Sequence, residues 1–262
     1  MVNSFLQKPT YIDMKKLYAF HDGKNGFLGM LGSIDCTGWP WANFPVAYRA
    51  QFYRSDHGPD PFILLEAIAS NDLWILHVFF GVSGMNNVVN VLRQSLLFND
   101  LKAKKAPDVP FMANNGFKMY NLTDINGIYP QCAVLIESIK NPGMNDHKRI
   151  LYKTKHEAAR KDVERAFDVL KKKWKLSKHP TRGLSRRRLS DVMYTCIILH
   201  NMIIHDNGVA LSPDFIREEQ HRDDDPVRTH EQSMQVTQEI MNRTTHLSLK
   251  ADLVEHIWNK EN

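Results

Sequence analysis

Two almost unbroken apolar runs, Phe62-Ile63-Leu64-Leu65-Glu66-Ala67-Ile68-Ala69 and Leu73-Trp74-Ile75-Leu76-His77-Val78-Phe79-Phe80-Gly81, constrain this chain more than any other feature. Only Ser70-Asn71-Asp72 separates them. Short polar side chains of this kind bond their own backbone and favour a turn. Such runs across so short a turn predict an antiparallel hairpin. Neither run alternates with polar residues, so both strands are expected to lie deep in a covered sheet. A further apolar stretch, about residues 28–36, contains Gly29-Met30-Leu31-Gly32-Ser33-Ile34-Asp35-Cys36 and ends on a carboxylate. With the hairpin it makes a three-strand meander.

Around this frame the pattern changes period. Asp13 to Tyr18 suits a short helix, with His21-Asp22-Gly23 as its stop. Residues 37–61 read as a long aromatic loop with one helical turn near Val46–Arg49. Asn86 to Leu101 has helical spacing at Val88, Val91, Leu92, Leu96, Leu97 and Leu101. Lys102 to Pro110 is a polar loop, Lys118 to Thr123 a fourth strand ending at Asp124, and Val134 to Ile139 a fifth. Residues 147–176 form the longest helical pattern, its buried face carried by Ala159, Val163, Ala166, Phe167, Leu170 and Trp174. Another helix spans 185–205, with Ser185 as N-cap and Leu189, Val192, Met193, Cys196, Ile197 and His200 on one face. Ser233 to Asn259 returns to amphipathic helix, which Leu253, Val254, Ile257 and Trp258 would dock on the core. Strands followed by helices in this order predict an α/β layout with a central mixed sheet.

Composition excludes several classes. Cys36, Cys132 and Cys196 are too far apart for a CxxC pair, so neither a zinc ribbon nor a disulfide framework is indicated. Free thiols suit a reducing compartment. Met1 to Tyr11 lacks the layout of a signal peptide. No apolar run reaches the roughly 18 residues that span a bilayer, so no membrane partner is expected.

Charge is unevenly placed. Between His147 and Arg188 stand sixteen Lys or Arg against four Asp or Glu, a net of +12 in a chain of net +5. Arg160, Lys161, Lys171, Lys172, Lys173, Arg186, Arg187 and Arg188 are candidate phosphate contacts. The Arg186-Arg187-Arg188 run also fits a nuclear import signal, and a basic helix face also fits simple solvation. Residues 208–232 are acidic, with seven Asp or Glu against three Arg from Pro213 to Gln232, and read as a mobile linker.

Three acids carry the candidate chemistry. Asp35 ends the first strand, Asp124 ends the fourth, and Glu164 lies in the long helix beside its apolar stripe. Ends of neighbouring strands are where open α/β sheets place their sites. Converging carboxylates would bind hard divalent ions such as Mg2+ or Mn2+. Two such ions activate a water and stabilise the leaving oxygen in phosphodiester cleavage. The same residues also suit plainer roles, a turn or cap for each Asp and a solvated ion pair for Glu164 between Arg160 and Asp168. His77 and His200 read as core histidines. Trp39, Trp41 and Tyr48 suit either base stacking or packing on the sheet. Gly81-Val82-Ser83-Gly84 is no phosphate loop, since no GK[ST] follows.

At these residues the chain resembles a known family. The stretches from Gly29 to Cys36, Arg54 to Gly58, Ile63 to Gly84, Asn90 to Asp100, Gly127 to Pro130, Glu157 to Trp174, Cys196 to Ile203 and Leu249 to Trp258 are similar to the plant PIF/Harbinger transposases and the nucleases derived from them. The resemblance implies an RNase H-like central sheet of about five strands flanked by helices, with a C-terminal helical extension. It also implies a DDE acid triad and divalent-metal-dependent cleavage of DNA in the nucleus, with the cytoplasm as a second location. Asp35 matches the first acid and Glu164 the last. The middle acid is Asp124, displaced by the insertion of Ile125-Asn126 before Gly127, or else Asn126 replaces it.

The expected organisation is an N-terminal remnant (1–25), the nuclease domain (26–207), the acidic linker (208–232) and a C-terminal helix (233–262). Two further departures weigh on activity. Val88 follows Asn86-Asn87 where the family carries an acid, and Gly38 stands where it carries a histidine. Family members also have a DNA-binding region before this domain, so sequence-specific recognition would be lost here or supplied by a separate partner protein. No oligomeric state is implied. The rival expectation is an inactive, DNA- or chromatin-associated binding protein.

Overall fold

The hairpin forms as expected, and the rest of the sheet is built on it. The structure is a computed structural model that describes residues 5–6, 9–42, 44, 49–54, 60–95, 111–113, 116–118, 121–124, 135–175, 185–210 and 242–262, with the backbone alone at 88, 93, 112–113, 116–118 and 121–124. Strands β1 (Met30–Pro40), β2 (Phe62–Ala69) and β3 (Ile75–Ser83) pair antiparallel in sequence order. Between β2 and β3, Ser70 N–H donates to Trp74 O, and Leu73 takes a left-handed φ of 68°. Every residue of β2 is buried. β3 instead alternates buried and half-buried residues, because among the described residues it is the edge strand, paired only with β2. Its apolar run had suggested deeper cover.

Two short strands lie on the other side of β1. β6 (Asn121–Asp124) pairs parallel with β1, and β7 (Leu135–Ile136) pairs parallel with β6, so the sheet order is β3-β2-β1-β6-β7. The expected fourth strand from Lys118 is divided. Gly116–Lys118 is β5, which pairs antiparallel with β4 (Phe111–Ala113) in a separate ribbon, and β6 begins at Asn121.

Alternation along β1 separates two faces. One packs on α4 (His147–Lys173) and α5 (Arg186–Asp206), where Trp39, Leu65, Ala67 and Phe80 meet Val163, Phe167, Leu170, Leu189 and Ile197. The other carries Ile34 and Ile68, which share a cluster with Met14 of α1 (Tyr11–Asn25), Leu92 of α3 (Val88–Gln94) and Leu253 and Ile257 of α6 (Arg243–Glu261). Arg49–Phe52 forms a single turn, α2.

Helix ends follow local chemistry, with two corrections. Thr10 and Asp13 form a reciprocal capping box on α1. The helix then runs through Gly23, which had read as part of its stop. It ends where Gly26 takes φ 76° and donates to Asp22 O at 2.8 Å, because a left-handed residue is needed to turn the chain. Ser185 caps α5 as expected, accepting from Arg188 N–H. Val192 was expected on its buried face but is 52% exposed. Leu253, Val254 and Ile257 dock α6 as expected, while Lys148 pairs with Glu255 at 2.6 Å and Lys155 with Glu261 at 2.6 Å. Nearly all of the expected acidic linker lies outside the described residues.

Candidate active site

Asp35 does not end its strand. It sits in the middle of β1, half-buried, opposite Ala67 of β2. It does stand where the parallel ladder stops, since the last β1–β6 pair is Ile34 with Asp124. Past that level, among the described residues, β1 is laddered only to β2. The sheet therefore offers a rim next to Asp35, and the backbone of Asp124 is brought to it. The side chain of Asp124, and Ile125 and Asn126, lie outside the described residues.

The face on which Asp35 lies follows from its neighbours. Ser33, Asp35 and Thr37 share one side of β1 by alternation. Ser33 Oγ donates to Ala159 O at 2.8 Å, and Lys171 Nζ donates to Thr37 Oγ1 at 2.6 Å. Both flanking residues are thus tied to α4, and Asp35 between them faces the same helix. Glu164 lies on α4 between those two anchor points. Glu164, Asp168 and Lys171 recur at i, i+4 and i+7, which is one stripe of the helix. Asp35 therefore faces the stretch of α4 that carries Glu164, whose side chain is 43% exposed and paired with Arg160.

The rotation of α4 is held by a residue the sequence reading passed over. Asp162 is 1% exposed and accepts from Asn71 Nδ2 at 2.8 Å, in the β2–β3 turn, and from Arg165 at 3.1 Å. Burial raises its pKa, partly offset by Asn71, Lys24 and Arg165. Asp162 follows Ala159 by three residues and precedes Ala166 by four, at the edge of the apolar stripe. That was the available signal for a buried acid.

The basic residues divide. Arg160 Nη2 pairs with Glu164 Oε1 at 3.2 Å. Lys171 is half-buried; burial lowers its pKa, while Asp168 and Asp35 pull it back up. It belongs to the acid rim as much as to any outer basic face. Lys161, Lys172, Lys173 and Arg186–Arg188 are exposed.

Other candidates resolve plainly. Trp39 and Trp41 are 3% and 4% exposed and pack in the core, while Tyr48 lies outside the described residues. His200 is buried and bonds Leu73 O at 2.9 Å; His77 bonds Ser95 Oγ at 3.0 Å and is only half-buried. Gly38 lies on the face opposite Asp35, where an added Cβ would stand 3.1 Å from the Phe62 ring. A histidine there would point away from the acid rim. Val88 opens α3 after the N-cap Asn87, and its side chain lies outside the described residues.

Among the described residues, no three His, Cys, Asp or Glu side chains gather as a metal-binding group. What does fit a hard ion is the donor chemistry at the rim, oxygen from Asp35 and Glu164 with Asp124 adjacent in register. A family model described as "Plant transposon protein" matches residues 3–210. No curated protein and no solved structure matches the chain.

Proposed function

Because the chain belongs to the plant transposon protein family, and hence is related to the PIF/Harbinger-type transposases, we propose that it is a transposase-derived nuclease domain acting on DNA in the nucleus. The proposal includes an RNase H-like sheet. A β3-β2-β1-β6-β7 order, antiparallel on one side of β1 and parallel on the other, supports it. The observation that carries the reading is the position of Asp35, facing α4 at the level where the β1–β6 ladder ends.

Asp35, Glu164 and Asp124 would hold Mg2+ or Mn2+. The metal, when bound, supplies a water of lowered pKa and charge stabilisation at the leaving oxygen. The chain's own residues orient. Asp162 holds the roll of α4 through Asn71, and Ser33 holds its height on β1. DNA would follow the exposed Lys172, Lys173 and Arg186–Arg188. The three arginines open α5, where the positive end of the helix dipole disfavours cations. A bound phosphate would relieve that repulsion.

Plasmid nicking with Mg2+ or Mn2+ tests the reading. Cleavage by the wild type that is lost in Asp35→Asn and Glu164→Gln, both folded, supports it. No cleavage by folded wild type removes the catalytic claim. A second reading, a DNA-binding protein without turnover, is favoured by one observation: cations of α4 already engage both described acids.

A further inference from the structure

We propose that Lys171 and Arg160 are built-in counter-cations of the acid rim, which a divalent ion must displace before Asp35 and Glu164 can hold it. The inference rests on the metal-binding reading above and adds a regulation to it.

The two cations are not equivalent. Arg160 meets Glu164 one turn along the same helix at 3.2 Å, and both side chains are partly in water. Such pairs are weak, and the long arginine stem lets it swing away. Lys171 is held harder. Its ammonium donates to Thr37 Oγ1 at 2.6 Å, two residues beyond Asp35 on the same side of β1. Asp35 and Asp168 both attract its charge. Its Nζ lies 6.0 Å from the centroid of the buried Trp39 ring. A half-buried ammonium so placed neutralises the carboxylates from inside the fold, and a divalent ion arriving there meets a fixed positive charge.

The consequence is a rim that folds without metal and binds it reluctantly. Lysine rather than arginine suits displacement, since a compact charge on a flexible four-carbon stem can withdraw without breaking a bidentate fork.

Calorimetric titration of the full chain with Mn2+ tests this, using Lys171→Met, which keeps the stem's bulk and removes its charge, and Lys171→Arg, which keeps the charge. Lys171→Met is expected to bind Mn2+ about tenfold more tightly than wild type, the scale of removing one unit charge near the ion. Lys171→Arg, which keeps the charge on a less readily withdrawn group, is expected to bind Mn2+ no more tightly than wild type, and Asp35→Asn/Lys171→Met to lose binding. Equal or weaker binding by folded Lys171→Met, with binding still dependent on Asp35, overturns this inference and leaves the metal reading standing. No Mn2+ binding by any of the variants or by wild type overturns the metal reading and the inference with it.

Discussion

Glu66 offers the sharpest test of the fold's physics. It is fully buried in β2, an interior strand, on the face away from α4. Its register neighbours are Cys36 of β1 and Phe79 of β3, and α3 covers the site with Ser95 at its C-cap. His77 Nε2 stands 3.8 Å from Glu66 Oε1, but its hydrogen bond goes to Ser95 Oγ at 3.0 Å. The Ser95 hydroxyl lies close enough to favour the carboxylate, yet neither Glu66 oxygen has a well-formed hydrogen bond. Burial therefore dominates, and raises the Glu66 pKa from 4.5 to about 7.

A raised carboxyl pKa means that the folded state keeps a proton which the unfolded chain gives up. Stability from this group is then complete below about pH 4.5, falls as pH rises, and levels off above about pH 7. At about 1.4 kcal/mol per pKa unit the loss is about 3 kcal/mol. Glu66→Gln keeps the shape and cannot ionise. Urea unfolding of both proteins from pH 4 to pH 8.5 is expected to find the variant gaining on wild type by about 3 kcal/mol across that span. A difference that stays flat with pH would mean that Glu66 ionises in the folded state as it does in the unfolded chain, and the burial argument would be wrong.

Two further outcomes follow from single contacts. Asp162→Ala should cost about 2–3 kcal/mol in urea unfolding, because it leaves the Asn71 amide unpaired at the hairpin turn. Arg165→Gln, which removes a partner that is 53% exposed, should change stability by under about 0.5 kcal/mol. Replacing Arg186, Arg187 and Arg188 by glutamine should weaken binding to any DNA sequence alike, and should flatten the slope of log affinity against log salt by about 2 to 3. An unchanged slope would place the DNA contacts elsewhere.

What the sequence made legible is what short range decides. The hairpin, the long helix and the Ser185 cap each depend on residues within a few positions of one another. β3's edge position was not legible, because apolar content does not say whether a strand has one neighbour or two. The end of α1 was misread because Gly23 looked like a stop, whereas the left-handed conformation falls on Gly26. Asp35 was placed at a strand end because apolar residues stop there. β1 continues through Pro40 because Thr37, Gly38 and Trp39 still find partners on β2. Lys171 was counted with the surface bases because it heads a lysine run. Its seven-residue spacing from Glu164 on one helix pointed instead to the acid rim.

That last point bears on the whole basic region. The net of +12 between His147 and Arg188 overstates what DNA would meet. Lys148 and Lys155 are engaged by Glu255 and Glu261 of α6, and Arg149, Lys153, Arg160 and Arg165 by carboxylates of α4 or its cap. Of these, Lys148 and Lys155 fasten α4 to α6, and the others pair within α4 or with its cap. The exposed cations outside such pairs, among the described residues, are concentrated towards the other end: Lys172, Lys173 and Lys175 close α4, and Arg186–Arg188 open α5. A polyanion attracted to the chain would therefore be drawn to the junction of α4 and α5. That junction adjoins Lys171, whose ammonium links it to Thr37 and the acid rim. The charge pattern and the candidate site thus meet at one end of one helix, and mutations there should affect DNA binding and metal binding together, whereas mutations of Lys148 and Lys155 should affect only the docking of α6.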